Sequence, residues 1–122
     1  MIKLGNLNEN HVMTVTVSSR VRKDDYDQIL PRLEEVLAKQ DKVGFFIKLE
    51  DVTGFEADAL WEDIKFDVRH RKQYGRTAIV GDSKWQEWGT KIANLFFRAE
   101  MRFFTEDQAE QAWAWVNQLA PD

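Results

Sequence analysis

The sequence lacks cysteine altogether, which excludes a disulfide framework and every metal site built from thiolates. It also lacks any apolar run long enough for a transmembrane helix, and its first residues do not have the pattern of a signal peptide. Linkers, internal repeats and low-complexity segments are missing too. We therefore expect a cytoplasmic protein with one domain over residues 1–122, which is large enough to form a core without metal or disulfide.

Positive charge is scarce as well. The chain carries 17 lysines and arginines against 21 aspartates and glutamates, which gives a net charge of −4 and a pI of about 5.2. This balance argues against a nucleic-acid partner, since binding of the phosphate backbone needs a basic surface. One basic cluster lies within residues 65–76. We interpret it first as complementing the dipole of a helix C-terminus and second as a contact for an anionic partner.

No catalytic or metal-binding motif occurs in the sequence. The two histidines, His11 and His70, belong to no His-Glu-x-x-His pattern, and no serine lies in a Gly-x-Ser-x-Gly elbow. Gly81 stands alone and does not form a phosphate-binding loop. We expect no enzymatic activity, no metal and no cofactor. An acid–base pair would have to come from the neighbourhood of Asp63, His70 and Asp82.

Hydrophobic periodicity predicts an α/β fold. Strands are expected at residues 2–7, 11–19, 43–50, 76–80 and 100–104, and helices at 23–40, 56–72, 83–98 and after Thr105. The order β-β-α-β-α-β-α-β-α predicts one mixed, mostly parallel sheet with flanking helices and an antiparallel hairpin at one edge. The near-continuous apolar run at 43–50 predicts a strand that is buried on both faces.

Several local features refine this scheme. Pro31 is expected to kink the first helix or to mark a new start within it. Thr53 and Gly54 are expected to form a turn after the third strand. Thr105 and Gln108 have the spacing of a capping box at the start of the last helix. The expected inner faces are Tyr26, Ile29, Leu30, Leu33, Val36 and Leu37 in the first helix, and Ala109, Ala112, Trp113 and Val116 in the last.

The most informative segment is residues 78–99. A short apolar strand ends at Gly81, and the following helix over 83–98, the tryptophan helix, has one apolar face. That face comprises Trp85, Trp88, Ile92, Leu95, Phe96 and Ala99. Phe97 projects away from it, as Phe66 projects away from the Trp61 face of the preceding helix. The apolar surface is therefore wider than one core contact requires, which favours a groove, a covered ligand, a protein partner or a membrane.

Several motifs, in order along the chain, resemble those of the SpoIIAA-like proteins. They are Ala59–Phe66, Ala78–Asp82, the pair Trp85 and Trp88, and Ala99–Phe104. These proteins are small bacterial members of the STAS fold group, and the resemblance covers nearly the whole chain. It implies a STAS-type mixed sheet that is also similar to the lipid-binding Sec14 (CRAL-TRIO) topology. It implies no particular activity, because most members have none assigned.

The chain departs from the regulatory members of that group at one position. For anti-sigma-factor antagonists, the resemblance implies a phosphorylated serine in an Asp-Ser-Ser-Gly-Leu motif after the third strand. The corresponding stretch here is Phe55–Leu60, in which Ala57 has no hydroxyl to phosphorylate. We interpret Glu56 and Asp58 as favourable charges at a helix N-terminus rather than as a permanent phosphate mimic. We therefore expect no switch by phosphorylation of this site.

The leading functional hypothesis is a non-enzymatic module that binds a small apolar or amphipathic, lipid-like ligand beneath the tryptophan helix. The expected ligand-binding residues are Trp61, Phe66, Arg69, Ser83, Lys84, Trp85, Trp88 and Phe97. Arg69, Ser83 and Lys84 would orient a head group, while Ser83, alone or with Asp82, is also the expected helix cap. Gly81 would serve as a hinge if the helix opens as a lid.

Two alternatives use the same aromatic residues. Exposed Phe66 and Phe97 would form a homodimer contact or an adaptor surface for another protein. The tryptophans, flanked by Lys84, Lys91 and Arg98, would suit a transient peripheral contact with a membrane. The net negative charge of the chain weakens that second alternative, because membrane surfaces are usually anionic.

Overall fold

The computed structural model describes residues 1–40, 42–56, 74–85 and 100–118. Within these ranges the strands are β1 (Ile2–Leu7), β2 (Val12–Val21), β3 (Val43–Phe55), β4 (Tyr74–Gly81) and β5 (Glu100–Thr105). The helices are α1 (Lys23–Lys39) and α2 (Ala109–Asn117), with short 3-10 turns at Ser83–Trp85 and Glu106–Gln108. The five predicted strands and the first and last predicted helices are thus confirmed. The predicted helix at 56–72 beyond Glu56, and the tryptophan helix beyond Trp85, lie outside the described residues.

The five strands form one sheet in the order β1-β2-β3-β4-β5. β1 runs antiparallel to β2, and every other neighbouring pair is parallel, which confirms the mixed, mostly parallel sheet with a leading hairpin. One row of paired residues crosses all five strands, namely Leu4, Val15, Ile47, Ile79 and Phe103. Since paired residues share a face, this row lies on the α1 side of the sheet, in its core cluster.

β3 is buried on both faces, as its apolar run predicts. Phe45 packs in the cluster on the α1 side, and Phe46 packs in the cluster on the α2 side. Both side chains are less than 10% exposed, at 5% and 7%. Because successive side chains of a strand point to opposite faces, β3 contributes to two cores at once.

α1 lays its predicted apolar face on the sheet. Tyr26, Leu33 and Leu37 are buried, and Ile29, Leu30 and Val36 pack against the same cluster. Pro31 does not start a new helix, because α1 is continuous from Lys23 to Lys39. Proline has no N–H to donate to the carbonyl four residues earlier. Because Pro31 is exposed, that carbonyl is on the side of the helix where water is available.

The predicted turn at Thr53 and Gly54 is wrong, because both residues lie inside β3. The register between β2 and β3 shifts around Ser19, and Arg20 pairs with Gly54. Ser19 and Asp51 adopt left-handed backbone angles, with φ of 60° and 51°. These bulges absorb the extra residues of β3 and let it continue pairing with β2 to Phe55.

α2 packs on the opposite side of the sheet. Its predicted capping box is confirmed: the backbone N–H of Thr105 donates to Gln108 Oε1 at 3.2 Å. Ala112 and Val116 are buried, whereas Trp113 is 42% exposed and therefore not part of the inner face. The indole lies edge-on to the ring of Phe46 in β3.

Three asparagines tie the end of α2 to the hairpin of β1 and β2. Asn117 Oδ1 accepts hydrogen bonds from Asn8 Nδ2 at 2.6 Å and from Asn10 Nδ2 at 3.2 Å. Asn8 Oδ1 in turn accepts the backbone N–H groups of Asn10 and Val12. Asn117 Nδ2 donates to the carbonyl of Trp113 one turn earlier in the helix. This polar anchor fixes the C-terminal end of α2 at the start of β2.

Candidate functional site

The carboxyl ends of β2, β3, β4 and β5 meet at one edge of the sheet, because these four strands are parallel. We call this the carboxyl edge. It carries Arg22 after β2, Glu56 after β3, Asp82 after β4 and Thr105 at the end of β5. In open α/β sheets, ligands bind outside the carboxyl ends of the strands, so this edge is the first place to look for a site.

The stretch from Asp82 to Trp85 follows β4 at the carboxyl edge. Asp82 Oδ1 accepts the backbone N–H of Lys84 at 3.1 Å, and the carbonyl of Asp82 accepts the N–H of Trp85 at 3.0 Å. Ser83 Oγ lies 3.5 Å from Asp82 Oδ1, at the limit of a hydrogen bond. Asp82 is therefore the capping residue. Its carboxylate accepts the backbone N–H of Lys84, which is therefore already engaged and cannot donate to an anionic head group.

Trp85 combines an apolar surface with a nearby cation. The indole is partly buried against the core cluster on the α1 side. The ammonium nitrogen of Lys84 lies 5.7 Å from the centroid of the ring, within the range of a cation–π contact. The exposed backbone and ammonium of Lys84 and the half-buried indole of Trp85 form an amphipathic corner at the end of β4.

Gly81 lies inside β4, and packing explains why this position is a glycine. A Cβ built there would lie 3.1 Å from both Cβ and Cδ1 of Leu49 on the neighbouring strand. That distance is tighter than ordinary van der Waals contact. The close approach of β4 to Leu49 is sufficient to account for a glycine at position 81. The role of Gly81 as a hinge candidate stays a prediction.

Two arginines share one glutamate at the other end of the carboxyl edge. Glu56 Oε1 lies 3.5 Å from Arg20 Nε and 3.4 Å from Arg22 Nε. The side chains of Arg20 and Arg22 are 54% and 66% exposed, and that of Glu56 is 36% exposed. The backbone N–H of Glu56 donates to the carbonyl of Val21 at 2.8 Å, which fixes the start of the segment after β3.

The structure therefore brings three of the expected ligand-binding residues into one stretch, namely Ser83, Lys84 and Trp85. The other five, Trp61, Phe66, Arg69, Trp88 and Phe97, lie outside the described residues, as do Ala57 and His70. His11 lies in the bend before β2, as its sequence position indicates, and is exposed. Sequence reasoning did not identify the cluster of Arg20, Arg22 and Glu56.

Sequence reasoning also did not identify a second polar–aromatic cluster, on the α2 side. Arg76 Nη1 donates to the carbonyl of Trp115 at 3.1 Å and to Gln118 Oε1 at 2.9 Å. The guanidinium carbons of Arg76 and Arg102 lie 5.1 Å and 5.4 Å from the centroid of the Trp115 ring. The ring of Phe104 lies 6.0 Å from the same indole. We call these residues the Trp115 cluster.

The alternation of side chains along a strand places the two arginines of the Trp115 cluster on one face of the sheet. Arg102 pairs with Ala78, and Arg76 is two residues before Ala78, so both arginines share its face. Ala78 is fully buried in the core on the α2 side. The two arginines therefore flank α2, where they complement the negative end of its dipole.

No group of histidine, cysteine, aspartate and glutamate side chains that could hold a metal ion occurs among the described residues. In the same ranges, no helix is long and apolar enough to cross a membrane.

A sequence profile described as SpoIIAA-like matches residues 12–117. The chain belongs to the SpoIIAA-like family. The structure is also similar to the crystal structure of an uncharacterised DUF3478-family protein with a SpoIIAA-like fold from Shewanella loihica. The similarity has a TM-score of 0.77 and 30% sequence identity over 95% of this chain and 92% of that one. No curated protein matches this chain.

Membership of the SpoIIAA-like family confirms the resemblance and the fold that it implied. The match spans every described element from β2 to α2. A fold shared by many proteins does not assign an activity, so the function has to be argued from the site.

Proposed function

We propose that this SpoIIAA-like protein is a non-enzymatic module that binds a small apolar or amphipathic ligand at the carboxyl edge, beside Trp85. The observation that carries the proposal is the partly buried indole at the end of β4, with the Lys84 ammonium 5.7 Å from its ring. An alkyl chain would contact the indole, and the polar end of the ligand would face the solvent along the carboxyl edge.

The location supports the proposal independently of the tryptophan. Parallel strands end together at this edge, and ligands of open α/β sheets bind there. Most ligand pockets are lined mainly by apolar and aromatic side chains, with few polar groups that fix orientation. We further propose that binding is not switched by phosphorylation of the position occupied by Ala57.

The direct test is uptake of a neutral amphiphile. Dodecyl maltoside, kept below its critical micelle concentration, would be titrated into the protein, and the bound mass would be followed by native mass spectrometry. We expect Trp85→Ala to weaken uptake about tenfold, since it removes most of an aromatic contact. Trp85→Phe should retain most of the affinity.

A matched control separates this site from general hydrophobic binding. Trp113→Ala removes an indole that is 42% exposed on the opposite side of the sheet. If the two alanine variants lose uptake equally, or if neither loses any while both stay folded by circular dichroism, the carboxyl edge is not the binding site.

A second candidate function, an interaction module or homodimer, is favoured by the exposure of Trp113. Tryptophan is enriched at protein interfaces, because its large ring buries much apolar area and its N–H can find a partner there. Trp113 lies near Phe46, with ring centroids 5.0 Å apart and planes at 80°. The ring is thus held in position while a large part of its surface faces solvent.

The interaction module predicts a mass that depends on concentration. Sedimentation velocity should detect a dimer of the wild-type protein, and Trp113→Asp should abolish it. Gln111→Asp introduces the same charge at an exposed position of the same helix and should leave the dimer intact. A monomer at every concentration would remove the homodimer from consideration.

A further inference from the structure

Arg20 and Arg22 form a local pair of positive charges that shares one carboxylate, that of Glu56. The nearby carboxylate of Asp25 accepts the backbone N–H of Arg22. One carboxylate faces two guanidinium groups, within 4 Å of both. Its separations of 3.5 Å and 3.4 Å are longer than those of ordinary N–H···O hydrogen bonds. Among the described residues, neither arginine side chain donates a hydrogen bond. Both side chains are more than half exposed, so an anion in solution can approach their donors.

The guanidinium group of Arg20 lies beside the strand that pairs with its own. Arg20 pairs with Gly54 beyond the bulges at Ser19 and Asp51. A Cβ at position 54 would lie 3.3 Å from Arg20 Nη1, so the guanidinium lies close to the backbone of Gly54.

We propose that Arg20 and Arg22 bind the phosphate group of an amphipathic ligand, and that this phosphate displaces the carboxylate of Glu56. The assignment to a head group rests on the proposed function. A phosphate monoester carries close to two negative charges and three acceptor oxygens, which match two guanidinium groups better than one carboxylate does. The backbone after β4 is less suited to this task, because Asp82 already occupies its donor.

Glu56 acts in this scheme as an internal competitor. While no ligand is bound, its carboxylate partly neutralises the two arginines and keeps them in the same region. Removing the competitor should therefore tighten phosphate binding. A purely structural ion pair makes no such prediction, because exposed pairs contribute little beyond local stability.

The experiment compares three probes by isothermal titration calorimetry at an ionic strength of about 0.1 M, where exposed charges more than about 10 Å apart are largely screened. Dodecyl phosphate has an alkyl chain and a phosphate. Dodecyl maltoside has the same chain with an uncharged sugar head group, and inorganic phosphate has the anion without a chain. We expect Arg20→Gln and Arg22→Gln each to weaken dodecyl phosphate binding about tenfold and to leave dodecyl maltoside unaffected. Glu56→Gln should tighten dodecyl phosphate binding about threefold.

Charge-matched controls exclude an effect of net charge. Arg32→Gln and Glu35→Gln change the charge by the same amounts at exposed positions of α1. Neither should alter the affinity for dodecyl phosphate by as much as twofold, since screened charges at a distance act weakly.

The outcomes separate this proposal from the proposed function. If dodecyl maltoside binds but the arginine variants take up dodecyl phosphate like wild type, the phosphate subsite is wrong and the apolar site stands. A third outcome is that inorganic phosphate binds, that its binding requires both arginines, and that neither amphiphile binds. In that case the phosphate subsite stands and the ligand is a free phosphate. Absence of binding by all three probes overturns both.

Discussion

The two sides of the sheet are built differently. The α1 side has about twice as many buried residues in its cluster as the α2 side, among the residues that the structure describes. The α2 side relies on cation–π contacts at Trp115 and on the anchor at Asn117. It also leaves Trp113 substantially exposed. Among the described residues, the α1 side therefore contributes more buried apolar side chains, and the α2 side adds polar and cation–π contacts.

This comparison explains why each side suits a different candidate function. Ligand binding at Trp85 extends the core on the α1 side, because the indole already packs against that cluster. Protein association at Trp113 would instead cover apolar surface on the α2 side, because this indole is partly exposed to solvent.

Leu37→Ala should cost about 3 kcal/mol of unfolding free energy, since Leu37 is 1% exposed and large-to-small substitutions in a core cost about 2–5 kcal/mol. Val116→Ala on the α2 side should cost clearly less, because it removes fewer buried atoms from a smaller cluster. Urea denaturation of both variants measures the difference. An equal or larger loss for Val116→Ala would mean that the two sides contribute comparably.

Gly81→Ala should cost about 1–3 kcal/mol, the usual effect of overpacking a well-packed core. The added Cβ would meet Leu49 at 3.1 Å, on a strand that cannot move away without disturbing the sheet. The double variant with Leu49→Ala should recover part of the loss, which a double-mutant cycle would detect as a coupling energy. Additive losses would show that Leu49 is not what constrains position 81.

Much of the fold follows from sequence pattern, and the errors have particular causes. The apolar run at 43–50 predicted the burial of β3 on both faces, but Thr53 and Gly54 resembled a turn. Pairing with β2 through two bulges overrides that local preference. Local composition does not predict that pairing with β2 extends β3 beyond its apolar run.

The errors at the site have a similar origin. Helical periodicity placed Trp113 with Val116, because the two lie three residues apart. In the structure Val116 is 4% exposed and Trp113 is 42% exposed, and helical periodicity alone does not distinguish the centre of an apolar face from its edge. The cluster of Arg20, Arg22 and Glu56 depends on where β2 and β3 end relative to each other, which requires the register. By contrast, Trp85 belongs to a motif that the family resemblance already singled out.

Arg76→Gln should cost about 1 kcal/mol, because Arg76 donates to the carbonyl at the end of α2 and lies close to the Trp115 ring. Arg102→Gln should cost about half as much, since the Arg102 side chain is exposed and its ring contact is 5.4 Å long. Thermal denaturation of the two variants, which change the charge equally, gives the comparison. The reverse order would mean that the hydrogen bonds of Arg76 contribute little.

Thr77→Val should change stability in the opposite direction, with a gain of about 0.5–1 kcal/mol. Thr77 is fully buried in β4, and its hydroxyl has no hydrogen-bond partner among the described residues. A buried hydroxyl without a partner is destabilising, and valine has nearly the same shape without the polar atom. Thr77→Ser is the matched control. It keeps the hydroxyl but loses the methyl group, so it should be less stable than wild type in urea denaturation. If Thr77→Val is destabilising instead, the hydroxyl has a role in the native state that outweighs its burial, and β4 would need a polar partner at this position.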